Sequence, residues 1–140
     1  MANENNTITV ETTIDAPLDQ VWKCWTTPEN IRQWNNASDD WYTPSADNDL
    51  TEGGKFVFRM EARDGSFGFD FTGTYQTVKE KELLEYVLTD DRKVSVAFGE
   101  SDGQTKVTET FEPESENTVE MQQAGWQAIL DNFKKYVEKQ

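Results

Sequence analysis

The sequence predicts an α+β fold, in which a run of antiparallel strands packs against one long C-terminal helix. Apolar and polar residues alternate with a period of two in several segments between residues 8 and 111, and turn signals separate these segments. From Thr118 to Glu138 the period changes to 3.6, which is typical of a helix. A helix of this length, about 31 Å, can cross a whole sheet. Strands followed by one long helix favour an α+β arrangement.

The N-terminal part of the chain predicts one strand and two short helices. Residues 8–14 alternate as in a half-buried strand, and Asp15 and Pro17 then signal the start of a helix. Thr27-Pro28-Glu29, a capping residue followed by proline, predicts a second helix. Residues 35–54 are polar and rich in turn formers, so no regular element is predicted there. The apolar residues at helical spacing are Leu18, Val21, Trp22 and Trp25 in the first helix, and Ile31 and Trp34 in the second.

Asp64-Gly65 predicts a hairpin with a two-residue turn. The register that follows places Arg59 opposite Asp70, a pair of opposite charges suited to a solvent-facing side. This register places a charged pair on one face and apolar pairs on the other, so both faces of the hairpin support it. The apolar pairs on the other face are Ala62 with Phe67, Met60 with Phe69, Phe58 with Phe71, and Phe56 with Gly73.

Asp102-Gly103 predicts a second hairpin, which pairs Phe98 with Val107 and Val94 with Phe111. Between the two hairpins lies a strand over residues 83–88. Its facing stays open, because both of its alternating faces contain leucine. In the final helix, Asn117 and Glu120 resemble a capping box. The apolar stripe of that helix consists of Val119, Gln122, Trp126, Ile129, Leu130, Phe133 and Val137.

Composition limits the classes of function. The 140 residues suit one domain, spanning residues 1–140. The chain has 13 Lys and Arg against 27 Asp and Glu, and the resulting net charge of −14 repels nucleic-acid phosphates and anionic lipid headgroups. No apolar run approaches membrane-spanning length, so membrane insertion is not expected. Residues 1–6 lack the basic and apolar regions of a signal peptide, and Cys24 is the only cysteine. We therefore predict a cytoplasmic monomer.

Several segments, taken in order, resemble the START-like or helix-grip superfamily. Its opening is matched by Ile14-Asp15-Ala16-Pro17, Val21-Trp22 and Trp25-Thr26-Thr27-Pro28-Glu29. Its bacterial branch, named after the activator of a heat-shock-protein ATPase, is similar at Gly53-Gly54, Phe71-Thr72-Gly73-Thr74-Tyr75 and residues 125–132. Related sequences often carry a second tryptophan after the position of Trp34, where this chain has Asn35.

The resemblance covers about residues 7 to 138. It implies a curved sheet of six or seven strands wrapped around the final helix, with a cavity between them. It also implies a wide range of roles: carriers of lipids or polycyclic aromatics, polyketide cyclases, resistance proteins and chaperone activators. Membership of the fold therefore does not select one function.

Histidine is absent, which removes the commonest general base and metal ligand. With a single cysteine, neither a Cys–His nor a Ser–His nucleophile can be assembled, and no zinc site, other metal site or cofactor is predicted. Cys24 lies beside the apolar residues of the first helix. We expect it to be a small buried residue rather than a redox-sensitive thiol.

Glu109 is the candidate for acid–base chemistry, although no catalytic residue is firmly assigned. The second hairpin places it on an apolar face, opposite Val96, where a carboxylate must be hydrated, paired or protonated. In a functional role, Glu109 binds a polar group of a ligand or acts as an acid or base. The alternative is that a strand edge or a bulge turns its side chain to water. Glu85 lies on the same face of the sheet as Glu109 only if Leu83 and Val87 face inward. Gln122 either reaches into the cavity or lies in the first exposed turn of the helix.

The aromatic residues are predicted to wall a ligand-sized cavity, because a strongly curved sheet crossed by one helix cannot close completely. Gly73 and Gly125 are expected to allow close approach at the sheet bend and along the helix. Trp34, Trp41 and Tyr42 are expected at the mouth. The predicted ligand-binding residues are Trp34, Trp41, Tyr42, Phe56, Phe58, Phe69, Phe71, Tyr75, Phe98, Glu109, Phe111, Gln122, Trp126 and Phe133.

Three functions remain open. The first is a binding or carrier module for a small hydrophobic molecule, lipid-like or polycyclic and aromatic. The second is an enzyme of the cyclase or hydrolase kind that uses Glu109. The third is a module that contacts a chaperone and activates its ATPase, which requires an exposed apolar surface that the sequence does not indicate.

Overall fold

Seven strands and three helices make up the computed structural model, which describes residues 7–140. The N-terminal residues 1–6, on which the expectation about a signal peptide depends, lie outside this range. The elements are β1 (Ile8–Ile14), α1 (Leu18–Thr26), α2 (Pro28–Trp34), β2 (Trp41–Asn48), β3 (Lys55–Ala62), β4 (Gly68–Lys79), β5 (Leu83–Leu88), β6 (Lys93–Ser101), β7 (Gln104–Phe111) and α3 (Val119–Glu138).

All seven strands belong to one antiparallel sheet in the order β1-β7-β6-β5-β4-β3-β2. From β2 to β7 each strand pairs with the next along the chain, and β1 lies beside β7. The sheet curls around α3 as a half-barrel, with α1 and α2 following β1. The predicted α+β fold is confirmed, and the sheet has seven strands rather than six. No helix in the described part of the chain is long and apolar enough to cross a membrane.

The strand β2 was not predicted, because its sequence carries Pro44 and several polar turn formers. The structure accommodates these residues by placing β2 at the edge of the sheet, where it pairs only with β3. The register between the two strands shifts between Tyr42 and Ser45, so Pro44 lies at an irregularity. Proline is tolerated at such edge positions because it need not donate to the ladder.

Both predicted hairpin registers are confirmed. Phe58 pairs with Phe71 in the first hairpin, and Val96 pairs with Glu109 in the second. Asp102 and Gly103, with φ of 56° and 80°, form the predicted two-residue turn. The first turn is longer than predicted: residues 63–66 form a four-residue loop, closed by the hydrogen bond from the Ala62 amide to the Phe67 carbonyl, 2.9 Å.

The cap of α3 differs from the predicted capping box by one residue. The N-cap is Thr118, whose Oγ1 accepts a hydrogen bond from the Met121 amide at 3.1 Å. The Asn117 side chain instead donates to the Glu114 carboxylate, 2.6 Å. At α2, Pro28 occupies the first turn as predicted, but the Thr27 side chain makes no capping bond.

Leu84, Tyr86 and Leu88 of β5 face the core, which settles the facing of that strand. Glu85 therefore points to the opposite side of the sheet from Glu109, and the condition for pairing these two carboxylates is not met. Cys24 is buried, as expected, and burial raises the pKa of its thiol. The remaining core residues that α3 contributes are Leu130, Phe133 and Val137.

Gly73 pairs with Phe56, as predicted, and the absence of a side chain there is structurally required. A Cβ at Gly73 would lie 2.6 Å from Cε2 of the Phe56 ring, closer than real contacts permit. The expectation for Gly125 is wrong. A Cβ on that residue would meet nothing within 4 Å, so Gly125 does not serve a close approach of α3 to its neighbours.

The helices cover both edges of the sheet. α3 runs along β1, where the Gln127 side chain donates to the Glu11 carbonyl at 3.2 Å and the Glu138 carboxylate accepts from the Asp15 amide at 2.8 Å. α2 lies against β2, and the Thr43 hydroxyl donates to the carbonyl of Asn35 at 2.7 Å. Covered edges do not offer free backbone groups to another strand.

Candidate ligand-binding cavity

A cavity of about 340 Å³ lies on the concave side of the sheet and is bounded by α3 and the end of α2. Its lining is mostly aromatic, with a few polar groups. Ligand sites for small molecules are typically concave, largely apolar and provided with a small number of polar anchors. The lining residues are Trp25, Trp34, Asn35, Phe56, Phe58, Met60, Phe69, Phe71, Tyr75, Tyr86, Arg92, Glu109, Glu114, Gln122, Trp126 and Ile129.

Phe56 is at the centre of the sheet side of the cavity. Its ring lies 4.8 Å from the Phe58 ring and 4.9 Å from the Tyr86 ring, measured between centroids. The rings of Phe71 and Tyr75 follow at 5.7 and 5.5 Å. Each contact is within the range of favourable aromatic pairs. The floor of the cavity is therefore one connected layer of rings on β3, β4 and β5.

Trp126 forms the helix side of the cavity. Its ring stacks on Phe111 with centroids 3.8 Å apart and an interplanar angle of 11°. On its other side it meets Phe71 of the sheet edge to face at 6.2 Å. Trp126 thus bridges α3 and the sheet, and it presents the cavity with an indole held in a fixed orientation.

Glu109 faces the cavity from β7 and is only 6% exposed. Its strand is continuous on both sides, with Glu109 paired to Val10 and to Val96, so the expected alternative of an edge or bulge turning it to water is wrong. Burial raises the pKa of its carboxyl to about 8. No group of residues 7–140 is hydrogen-bonded to it. At neutral pH the carboxyl is therefore mostly protonated and offers both a donor and an acceptor to the cavity.

Asn35 and Tyr86 add two further polar groups. The Nδ2 of Asn35 is buried and has no hydrogen-bond partner among the described residues. Burial, reinforced by the charge of Glu109, raises the pKa of Tyr86 well above its usual value. Tyr75 differs from these two because its hydroxyl already donates to Oδ1 of Asn48 at 2.7 Å. Buried polar groups without partners in the chain are uncommon and mark places where a ligand can supply one.

Gln122 lines the cavity, but its amide is already engaged. Its Oε1 accepts from the Glu114 amide at 2.8 Å, and its Nε2 donates to the carbonyls of Glu114 and Asn117. The side chain is buried in the cavity lining and does not lie in an exposed turn, but its amide is engaged by its own loop. Gln122 instead fixes the loop that leads into α3.

The predicted binding residues that line the cavity are Trp34, Phe56, Phe58, Phe69, Phe71, Tyr75, Glu109, Gln122 and Trp126. Trp34 is buried at the inner end, where its Nε1 donates to the Cys24 carbonyl at 2.9 Å, and so it does not form a mouth.

Five predicted residues do not line the cavity. Phe111 lies behind Trp126, and Phe133 lies behind Trp34, 4.7 Å between centroids. Phe98 packs in the core against the two tryptophans of α1. Trp41 packs on Phe67 and Phe69 at 6.0 Å from each, and the Tyr42 hydroxyl donates to Glu61. Trp41 therefore lies just outside the lining, in contact with the lining residue Phe69, and Tyr42 does not line the cavity.

The lining residues that the sequence analysis missed are Trp25, Asn35, Met60, Tyr86, Arg92, Glu114 and Ile129. Met60 and Ile129 already lay on predicted apolar faces, and the same reasoning that selected their aromatic neighbours would have found them. Tyr86 required the facing of β5, which two leucine-containing faces left open. For Asn35, the sequence signal was its departure from related sequences, which often carry tryptophan at this position. No group of side chains within residues 7–140 is arranged to hold a metal ion.

Comparison with solved structures agrees with this architecture. An AHSA1-like protein from Aeromonas hydrophila is 47% identical, with a TM-score of 0.90 over 96% of this chain and 93% of that one. A protein from Cytophaga hutchinsonii is also 47% identical, with a TM-score of 0.84 over 96% and 94%. A protein from Chromobacterium violaceum shares the fold at 19% identity, with a TM-score of 0.84 over 95% and 98%. No curated protein matches the chain.

A family model described as "Activator of Hsp90 ATPase homolog 1-like protein" matches residues 15–138, nearly the whole domain. Together with the half-barrel, the long terminal helix and the two relatives at 47% identity, this match identifies the chain as a member of the AHSA1-like family, as its resemblance to the bacterial START-like branch predicted.

Proposed function

We propose that this protein is a single START-like domain that binds a small apolar molecule in the cavity between its sheet and α3. The observation that carries the proposal is a cavity of about 340 Å³ walled by rings, into which Asn35 brings a buried Nδ2 that no group of residues 7–140 pairs. A fold that needed these residues only for packing would gain stability by filling the space. A concave aromatic surface instead suits a flat or elongated guest.

The test is a ligand screen on the whole chain, with lipid-like and polycyclic aromatic compounds. A ligand that binds the folded state raises the melting temperature as its concentration exceeds its dissociation constant. Three tryptophans line the cavity, so the same ligand should change their fluorescence emission. If no compound in a broad screen produces either effect, the proposal is wrong.

A matched pair of variants locates the binding. Ile129→Phe adds volume on the cavity side of α3, whereas Val119→Phe makes a similar change at a position that is 43% exposed on the same helix. We expect the first variant to reduce the ligand-induced rise in melting temperature and the second to preserve it. Equal responses of the two variants would place the ligand outside the cavity.

An acid–base enzyme is the second candidate, because the pKa of Glu109 is raised to about 8 inside a cavity. A group with such a pKa can donate or accept a proton near neutral pH. Tyr75 and Tyr86 line the same cavity, so Glu109 has two hydroxyl groups near it as further candidates for proton transfer. Conversion of a bound ligand by the wild type but not by Glu109→Gln would favour this candidate over simple binding.

A further inference from the structure

The Glu109 carboxyl is an ionisable group of the cavity that the fold itself does not explain. Its partners across the sheet are Val10 and Val96, and Val107 and Phe111 flank it on the same face of β7. A buried carboxyl with a structural role is normally held by hydrogen bonds, and an isolated one destabilises the fold. No such bond comes from the described residues. The described residues therefore leave this carboxyl open to a group that enters the cavity.

The two other charged residues of the lining already have partners. Arg92 contacts the Asp90 carboxylate through Nε at 2.7 Å and donates from Nη1 to the Glu112 carbonyl. The Glu114 carboxylate accepts from the amide and the side chain of Asn117. Within the described residues, Glu109 is therefore the acid of the lining without a hydrogen-bond partner, whereas Arg92 is engaged through Nε and Nη1.

The surroundings of Glu109 favour a cation over an anion. Aromatic faces attract cations through their quadrupoles, and Tyr86 and Trp126 line the same cavity as the carboxyl. The chain as a whole carries a net charge of −14, which raises the local concentration of cations and repels anions. The net charge repels a fatty-acid carboxylate and attracts an ammonium group, and an ammonium group beside Glu109 favours the ionised form of the carboxyl.

We propose that the ligand is a basic ring compound, an arylalkylamine in chemical class, whose ammonium group binds the Glu109 carboxylate while its ring lies among the aromatic side chains. This inference rests on the proposed function, because it names the class of molecule that the cavity takes. When a neutral amine enters, the carboxyl proton passes to the amine nitrogen. When the ammonium ion enters, that proton leaves to water.

The binding is therefore linked to pH. In the empty cavity Glu109 holds its proton up to about pH 8, so capture of an ammonium ion at neutral pH releases one proton per ligand. The titratable groups that face it are Tyr86 of β5 and Tyr75 of β4, whose pKa values are both raised, so that they stay neutral. Arg92 and Glu114 are the other charged residues of the lining, and α3 contributes the uncharged Trp126 and Ile129.

The experiment compares three probes that share one ring system: 1-naphthylmethylamine, 1-naphthylmethanol and 1-naphthoate. Their affinities for the intact chain are measured by titration calorimetry at pH 7.5 in two buffers of different ionisation enthalpy. We expect the amine to bind about tenfold more tightly than the alcohol, because a charge-assisted hydrogen bond replaces a neutral one. The naphthoate should bind most weakly, and only the amine should release a proton.

Glu109→Gln keeps the shape of the side chain and removes its charge. In this variant the amine should lose its advantage while the alcohol binds as before, which also shows that the cavity is intact. Glu85→Gln is the matched control, since it makes the same substitution on the outer side of the same sheet and should change neither affinity.

Equal binding of the amine and the alcohol, or an advantage of the amine that survives Glu109→Gln, overturns the inference but leaves the proposed function standing. Tightest binding of the naphthoate overturns it as well. If none of the three probes binds, the inference fails, and the wider thermal screen then decides the proposed function independently.

Discussion

The titration of Glu109 should be visible in the stability of the protein. The usual pKa of its carboxyl is 4.5, and burial raises it to about 8 in the folded chain. Below pH 4.5 both states hold the proton, and the stability is at its full value. Between pH 4.5 and 8 the unfolded chain has lost the proton while the folded chain keeps it, so the free energy of unfolding falls by about 1.4 kcal/mol per pH unit.

Glu109→Gln cannot titrate and should lack this decline. We expect the variant to be less sensitive to pH than the wild type between pH 5 and 8 and to be the more stable of the two by a few kcal/mol at pH 8. Urea unfolding of both proteins across this range measures the difference, with Glu85→Gln as the control that should follow the wild type. Parallel curves for the wild type and Glu109→Gln would contradict a buried, protonated Glu109.

At the level of single residues, the sequence was most informative where a turn fixed the strand register and therefore the face on which a side chain lies. Glu109 was found because the Asp102-Gly103 turn fixes its register opposite Val96. Asn35 could not be assigned a role, since nothing in a sequence shows that an amide will be buried without a partner. Phe98 and Phe133 are predicted to line the cavity but lie in the core, because the alternation of apolar residues does not distinguish an aromatic side chain of the core from one that lines a cavity.

Among the elements, α3 offers a direct test of local stability. Gly125 lies inside the helix, and a Cβ there would meet nothing within 4 Å. Glycine within a helix costs roughly 0.5–1 kcal/mol relative to alanine, because it loses more backbone freedom on folding. We expect Gly125→Ala to raise the free energy of unfolding by about that amount in chemical denaturation.

Gly65→Ala is the contrasting control, because Gly65 has a φ of 77° in the first hairpin loop, a conformation that alanine adopts only with strain. It should destabilise the protein even though its Cβ also meets no neighbour. A loss of stability in Gly125→Ala would show that α3 needs this glycine for a reason other than backbone conformation.

Elements with a clear period were predictable, and those shaped by their surroundings were not. Residues 8–14 and the final helix carry strong periodicity, and both were found with nearly correct bounds. The edge strand β2 depends on pairing with β3 and on the cover that α2 provides, so Pro44 and its polar neighbours gave no local signal of a strand. The same dependence on tertiary contacts explains the four-residue loop at residues 63–66, where the Arg63 amide donates to Asp40 rather than across the turn.

For the molecule as a whole, the excess of acidic residues should oppose folding. With 27 acidic against 13 basic residues, compaction brings like charges together. The opposing ion pairs, such as Lys106 with Glu11 at 3.0 Å, are exposed and contribute little. We expect the melting temperature to rise when ionic strength increases from about 0.01 M to about 0.15 M. At the higher value the Debye length is about 8 Å, so repulsion between acidic side chains farther apart than this is largely screened.

Calorimetry at constant pH measures this effect. Glu100→Lys, a change at an exposed position of β6, lowers the net negative charge and should make the melting temperature less dependent on salt. A melting temperature that falls as salt is added would mean that the surface ion pairs outweigh the general repulsion.

Gly73 has a consequence for the size of guest that the domain admits. The Phe56 ring rests where a side chain of residue 73 would otherwise stand, so the bare backbone lets this ring sit low against the sheet. Any larger residue would lift the ring toward α3 and make the chamber shallower. If the cavity has the proposed binding role, its depth is therefore set partly by a position outside its lining, and we expect a side chain at residue 73 to restrict it to thinner ligands.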